Sequence, residues 1–279
     1  MDTAVQEKSV DKVADLIAEV KAGVAKIQNS DEWKRFLDAS ARFWKYSFHN
    51  QMLIAIQRPH ATLVAGFHSW RELGRFVKQG EHGIRILAPV LVKVKSDDPD
   101  KEDQRIVRFK PVAVFDISQT DGTPLPEIHH ALKGEAPMGV LVRVKEFIEG
   151  RGYTVRYDRT PEGTFGYVNS EKQIVLREGE SMAQTLDTLC HEVSHALLGH
   201  VGNTSLSTEE KELEAETASW IVCRNLGLET RSASFGYLAV WAPSKDRDAK
   251  LEHAAHRACE VAKVILEGVE RIAVLAGQG

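Results

Sequence analysis

His191-Glu192-Val193-Ser194-His195 lies inside Ser181–Gly199, a stretch whose spacing predicts a single helix. Leu186, Leu189, Val193, Ala196 and Leu197 recur at helical intervals and make an apolar stripe. Ser181-Met182-Ala183-Gln184 reads as a capping box at its start, and Gly199 as its stop. Side chains four apart share a helix face, so His191 and His195 can hold one metal ion from adjacent turns. Glu192 stands beside them, placed to take a proton from a water on that metal.

A catalytic metal commonly takes three protein ligands and keeps one position for water. Gly199–Thr208 is rich in Gly, Asn, Ser and Thr and reads as a loop. Ser207-Thr208-Glu209-Glu210 is a second capping-box pattern, followed by a helix through Asn225 that stops at Gly227. That helix carries Glu212, Glu214 and Glu216. Glu212 and Glu216 share a face, while Glu214 points elsewhere. Spacing alone leaves Glu212 and Glu216 both open as the third ligand.

The chain has 279 residues, 43% of them apolar, enough for two ordinary domains. No apolar run approaches membrane-spanning length, so no membrane partner is expected. The N-terminus Met1-Asp2-Thr3-Ala4-Val5-Gln6-Glu7 lacks the basic and apolar regions of a signal peptide. Cys190, Cys223 and Cys259 are scattered, with no CxxC pair, which fits core packing in a reducing cytoplasm. The net charge is −4, but it is unevenly spread. Ala41–Lys95 holds Arg42, Lys45, Arg58, Arg71, Arg75, Lys78, Arg85, Lys93 and Lys95 against Glu72 and Glu81, a local +7. Phe43, Trp44, Tyr46, Phe48, Phe67, Trp70 and Phe76 are interleaved with them. Aromatics that stack bases beside cations that meet phosphates form the pattern of single-strand binding. The candidate contacts are Arg42, Lys45, Tyr46, Trp70, Arg71, Arg75, Lys78 and Arg85.

Periodicity predicts helices at 8–27, 31–46 and 51–57, a strand at 62–66, a helical turn at 68–73, and strands at 85–95 and 106–116 around a charged loop. Three prolines and three glycines between Asp121 and Gly139 mark a linker. Beyond it come a helix at 140–148, strands at 153–157 and 166–176 with a turn at 169–172, the two helices above, and an amphipathic helix at 246–276. The fold class is therefore α+β: N-terminal helices with a small antiparallel sheet, then a domain built on the HExxH helix. The expected division is residues 1–125, a linker at 126–139, and residues 140–279.

The helix pair resembles that of the gluzincin metallopeptidases, in which HExxH is followed by a loop and a glutamate-bearing helix. By that resemblance Glu212 is the third ligand and Glu216 orients His191, with Glu216 the alternative ligand. Gluzincins also place a Tyr or His from a later segment to meet the oxyanion, which implies Tyr237 here, with His200 and His253 as weaker choices. A wider resemblance covers most of the chain in order. Tyr46–Ala55, Ala61–Trp70 and Gly74–Pro89 resemble the N-terminal domain of ArdC-type antirestriction proteins. His191–His200, Glu212–Gly227 and Ser234–Trp241 resemble the C-terminal domain of that family. His49 and Val240 depart from its pattern at positions outside the expected chemistry.

This resemblance implies a single-stranded-DNA-binding domain followed by a zincin-like metallopeptidase domain. It implies one zinc per chain, with manganese the alternative, a protein or peptide substrate of unknown identity, and protection of incoming plasmid DNA from host restriction. Two other readings stand beside it. In one, the peptidase fold is only a scaffold for DNA coating. In the other, the chain is a protease that cleaves a repressor or antitoxin.

Overall fold

The structure is a computed structural model that describes residues 3–27, 29–95, 102–125, 137–228 and 245–276. It separates into two compact units. The first comprises Met1–Lys26 and His49–Pro126, the second Ile27–Phe48 and Glu127–Gly279.

In the first unit, helix α1 (Thr3–Ala25) buries Leu16, Val20 and Val24, spaced one helical turn apart. Helix α3 (Phe48–Gln57) contributes Met52, Leu53 and Ile54 to the same core. Strand β1 (Val64–Gly66), the short helix α4 (Phe67–Glu72), β2 (Arg75–Val77), β3 (Ile84–Lys95), β4 (Glu102–Asp116) and β5 (Thr120–Gly122) follow. β1, β4 and β3 form an antiparallel sheet in that order, and β2 pairs with β5 in a separate ribbon. The β2–β5 pairing was not expected, because each strand is only three residues long and carries no alternation.

β3 would leave an open sheet edge. Two helix amides cover it. Asn50 donates to the Leu87 carbonyl at 2.8 Å and accepts from the Leu87 amide at 2.8 Å. Gln57, two helical turns on, does the same with Arg85, at 2.9 Å in each direction.

The second unit is built on helices α2 (Ser30–Arg42), α5 (Pro137–Glu149), α6 (Met182–Leu198), α7 (Thr208–Asn225) and α8 (Lys245–Ala276). A small mixed sheet accompanies them, β6 (Thr154–Asp158), β7 (Gly166–Val168) and β8 (Gln173–Arg177), in the order β6-β8-β7. β6 runs parallel to β8 and β7 antiparallel, so β7 is an edge strand. Of the two expected capping boxes, Ser207 with Glu210 closes in full, whereas at Ser181 only half forms: its hydroxyl accepts from the Gln184 amide, and the Gln184 side chain donates to the Thr188 hydroxyl.

The division differs from the expected one at residues 27–48. Residues 27–48 belong to the second unit, because α2 is strongly amphipathic and its apolar face needs cover. Trp33, Phe36 and Leu37 are buried there. α2 packs on α7, where Arg224 meets Asp38 at 3.2 Å and the Asn225 amide donates to the Ala41 carbonyl at 2.7 Å. Composition could not reveal this, since a linker rich in proline marks only one of the places where the chain changes unit.

Asp116 holds the centre of the first unit. Its carboxylate accepts from the Thr62 and Leu63 amides at 2.7 and 3.1 Å, and from the Ser118 amide and hydroxyl at 3.0 and 2.6 Å. Burial pushes its pKa up, but these four bonds outweigh burial and the net shift is downward. Replacing Asp116 with alanine leaves buried amides unpaired and should cost about 3 kcal/mol in urea unfolding. A carboxyl whose folded pKa is depressed stabilises above its unfolded value of about 3.9, and that stabilisation is lost as pH falls through the folded value. The gap between parent and Asp116→Ala should therefore narrow in strong acid. A gap independent of pH would remove the carboxylate from this role.

Candidate metal centre

Helix α6 brings His191 and His195 to one face, one turn apart, and α7 packs alongside with Glu212 facing them. The two Nε2 atoms lie 3.0 Å apart. Glu212 Oε2 is 3.4 Å from His191 Nε2, and Oε1 is 3.5 Å from His195 Nε2. These three residues form the metal-competent His/Cys/Asp/Glu cluster found among the described residues. Ligands held at about 2.0–2.1 Å from a divalent ion stand about 3.3–3.4 Å apart in a tetrahedron and about 2.9 Å apart in an octahedron. The observed triangle spans that range, so the donor set fits one small divalent cation.

The local charge fits it too. Three carboxylates, Glu192, Glu212 and Glu216, surround two imidazoles. Burial works against a charged His191, yet the bond to Glu212 and the charges of Glu192, Glu212 and Glu216 outweigh it and raise its pKa. Burial instead lowers the pKa of His195. Bonds from His191 and His195 hold Glu212 far below the ordinary carboxylate range. Glu192 is only 7% exposed, and burial lifts its pKa to about 7 even though the Val168 amide donates to it. A carboxyl poised there is suited to take and return a proton near neutrality.

Glu216 lies on the same face as Glu212, one turn further along α7. Burial lifts its pKa also to about 7, and its Oε2 is buried with no hydrogen-bond partner among the described residues. It acts on His191 through charge, without a direct bond among those the structure gives. A buried carboxylate oxygen without a donor, turned toward a cluster of imidazoles, is a further sign that a cation belongs here.

These side chains line a cavity of about 930 Å³, together with Phe165 and the β7 edge residues Gly166, Tyr167 and Val168. Gly166 approaches α6 so closely that a Cβ would come within 2.7 Å of Thr188 Cγ2, so a side chain there would push the edge strand away from the site.

Sequence reasoning missed the residues behind the histidines. Gly199 ends α6 in the left-handed conformation, with φ +70°, and turns the chain so that His200 folds back. His200 Nδ1 lies 2.8 Å from His195 Nδ1, and its Nε2 lies 2.9 Å from Glu214. His200 is therefore buried behind the site and unavailable as an oxyanion donor. The expected donor, Tyr237, lies outside the described residues, and His253 is exposed at 3.9 Å from Glu214.

The expected nucleic-acid contacts separate. Arg42, Lys45 and Tyr46 lie in the second unit, where Lys45 pairs with Glu270 at 3.7 Å. Trp70 is fully buried and donates to the Phe115 carbonyl at 2.9 Å, so it is a core residue and not a stacking surface. Arg75 is committed to the β2–β5 ribbon, donating to the Thr120 hydroxyl, the Thr120 carbonyl and the Thr123 carbonyl at 2.8, 3.2 and 2.7 Å. Arg71, Lys78 and Arg85 are exposed in the first unit. Among the described residues the exposed phenylalanines there are Phe67, Phe76 and Phe109, with Phe76 the most exposed at 57%.

Residues 7–115 match the model of the N-terminal domain of anti-restriction factor ArdC. An uncharacterized protein of Bacillus anthracis is 24% identical over 95% of this chain, which spans 52% of that protein, about half its length. The metal-free crystal structure of the antirestriction ArdC protein of plasmid R388 is similar in fold, with 23% identity, 81% of this chain and 84% of that chain covered, and a TM-score of 0.52. The Mn(II)-bound structure of that protein gives 22% identity, 80% and 83% coverage, and a TM-score of 0.51.

The geometry separates the two glutamates of α7. Glu212→Ala should abolish stoichiometric retention of a divalent metal after dialysis, as should His191→Ala and His195→Ala. Glu216→Ala should keep it. Elemental analysis that finds metal in Glu212→Ala and none in Glu216→Ala would exchange their roles.

Proposed function

We propose that this chain, whose residues 7–115 match the N-terminal domain of anti-restriction factor ArdC, is a DNA-associated zinc metallopeptidase of the ArdC antirestriction type that protects incoming DNA from restriction. The observation that carries the enzymatic half is the triangle of His191, His195 and Glu212 with a buried Glu192 beside it. Two imidazoles and one carboxylate, with a position left for water, are the donor set of a catalytic zinc. Manganese remains the alternative because a Mn(II)-bound form exists for the R388 ArdC protein.

His191, His195 and Glu212 would hold the ion in a gluzincin-like arrangement. Such an ion, when bound, lowers the pKa of its water toward ~7 and polarises a carbonyl oxygen. Glu192 takes the proton of the attacking water and passes it to the leaving amine, and a pKa of about 7 suits both transfers. The β7 edge along the cavity gives an extended peptide a strand to pair with, so a protein substrate would be held by main-chain bonds. Tyr237 keeps its place in this reading as the candidate donor to the oxyanion.

The DNA half rests on the first unit, with Arg71, Lys78 and Arg85 as phosphate contacts and Phe67 and Phe76 as stacking platforms for single-stranded DNA. Binding to full-length protein should weaken steeply with salt, and each lost phosphate contact should reduce the log–log slope by about 0.7. Phe76→Ala should cost about 1–3 kcal/mol in affinity for single strands. Equal affinity of parent and Phe76→Ala in polarisation titrations, or a preference for duplex, counts against this assignment.

Glu192→Gln separates catalysis from DNA binding. The variant should keep metal and DNA affinity, and lose about 10²–10⁴-fold in peptide hydrolysis. The deciding assay is protection of a plasmid entering a restricting cell. A Glu192→Gln protein that protects as well as the parent would make the fold a scaffold and DNA coating the mechanism.

A further inference from the structure

Three helices meet behind the metal-facing surface through His195 and three side chains that the proposed chemistry leaves unused, His200, Glu214 and Arg257. His195 Nδ1 faces His200 Nδ1 at 2.8 Å. His200 Nε2 faces Glu214 Oε2 at 2.9 Å. The Arg257 Nε–H donates to the same Oε2 at 3.0 Å, and its terminal nitrogen donates to the Leu198 carbonyl at 2.6 Å. Glu214 is 1% exposed and His200 is buried with it, so the bond between them is shielded from water.

We infer that His200, Glu214 and Arg257 form a relay that locks the tautomer and the ring orientation of His195 and thereby tunes how tightly the site holds its metal. The inference rests on the metal reading above. The direction of every bond follows from it. A neutral imidazole that gives its Nε2 lone pair to a metal must carry its proton on Nδ1. That N–H meets His200 Nδ1, which must then accept. His200 in turn carries its proton on Nε2 and donates it to Glu214. Arg257 neutralises the carboxylate and, through Leu198, fixes the relay to the last turn of α6. Metal-ligating histidines ordinarily donate directly to a carboxylate or carbonyl. Here a second imidazole is interposed, so His200 is a positioning residue that must itself be oriented from behind.

His200 is replaceable in one respect and not in another. An asparagine Oδ1 occupies nearly the place of His Nδ1 and accepts the same proton, whereas leucine fills the space without an acceptor. The test is a competition titration of full-length protein with Zn²⁺ alone against a chromophoric chelator. His200→Leu should bind about 10–100-fold more weakly than the parent, the range usual for partners that orient a ligand. His200→Asn should recover to within a few-fold of the parent. Equal affinity in all three proteins overturns the relay while leaving the metal site intact. Equal loss in both variants overturns it as well, since packing and not an acceptor would then be at stake. A parent that takes up no Zn²⁺ sinks the metal reading and the relay together. Long-range ¹H–¹⁵N spectra of the zinc-loaded parent provide a readout that needs no variant. A proton on Nε2 of His200 and Nδ1 of His195 supports the relay, and a proton on Nδ1 of His200 overturns it, even if His200→Leu fails to fold.

Discussion

A carboxylate cut off from water must be paired, or it raises its pKa and gives up its charge. Glu214 meets that requirement with an imidazole from the turn after α6 and a guanidinium from α8. The pairing spans α6, α7 and α8, and the rest of the second unit's geometry follows from it. With α7 anchored by Glu214, the face two residues away turns toward α6, and Glu212 and Glu216 are delivered together to the two histidines. Breaking such a buried pair by removing one partner is costly, commonly about 3–5 kcal/mol, because the remaining charge has nowhere to go. The helix pair is thus held in alignment by electrostatics that lie outside the cavity.

Within the cavity, two carboxylates one helical turn apart have been driven in opposite directions. Glu212 is held ionised by two histidines, whereas Glu216, with no donor on Oε2, is pushed toward neutrality by burial. Identical side chains acquire different charge states from their surroundings, one held ionised and the other pushed toward neutrality. Glu192, on the other helix, shares the second condition. The arrangement leaves a cation as the natural complement of the site.

Much of this was legible in the sequence where periodicity and spacing speak directly. The two histidines four apart, the Ser181 and Ser207 caps and the Gly199 stop are local signals, and each recurs in the structure. The strand pair around the charged loop was legible for the same reason. Contacts across long sequence distances were not. Glu214 looked like the odd residue of an acidic face, and its partner Arg257 lies 43 residues away on another helix. Trp70 and Arg75 sat in a basic, aromatic stretch whose composition matched a binding surface, but composition cannot tell a buried ring from an exposed one. The β2–β5 ribbon was too short to carry a pattern. The placement of α2 depended on an apolar face whose cover lies in α7.

The passage of residues 27–48 into the second unit has a consequence for synthesis. Asp38 and its partner Arg224 are 186 residues apart. At about 5–20 residues per second, a ribosome needs roughly ten to forty seconds to emit the chain between them. During that interval Trp33, Phe36 and Leu37 have no native cover, while His49–Pro126 has already emerged. The nascent chain therefore carries a sticky amphipathic helix between two parts of an otherwise complete unit. Vectorial folding of this protein has an obligatory waiting step, and a chaperone that holds amphipathic helices has a defined place and time to act on it.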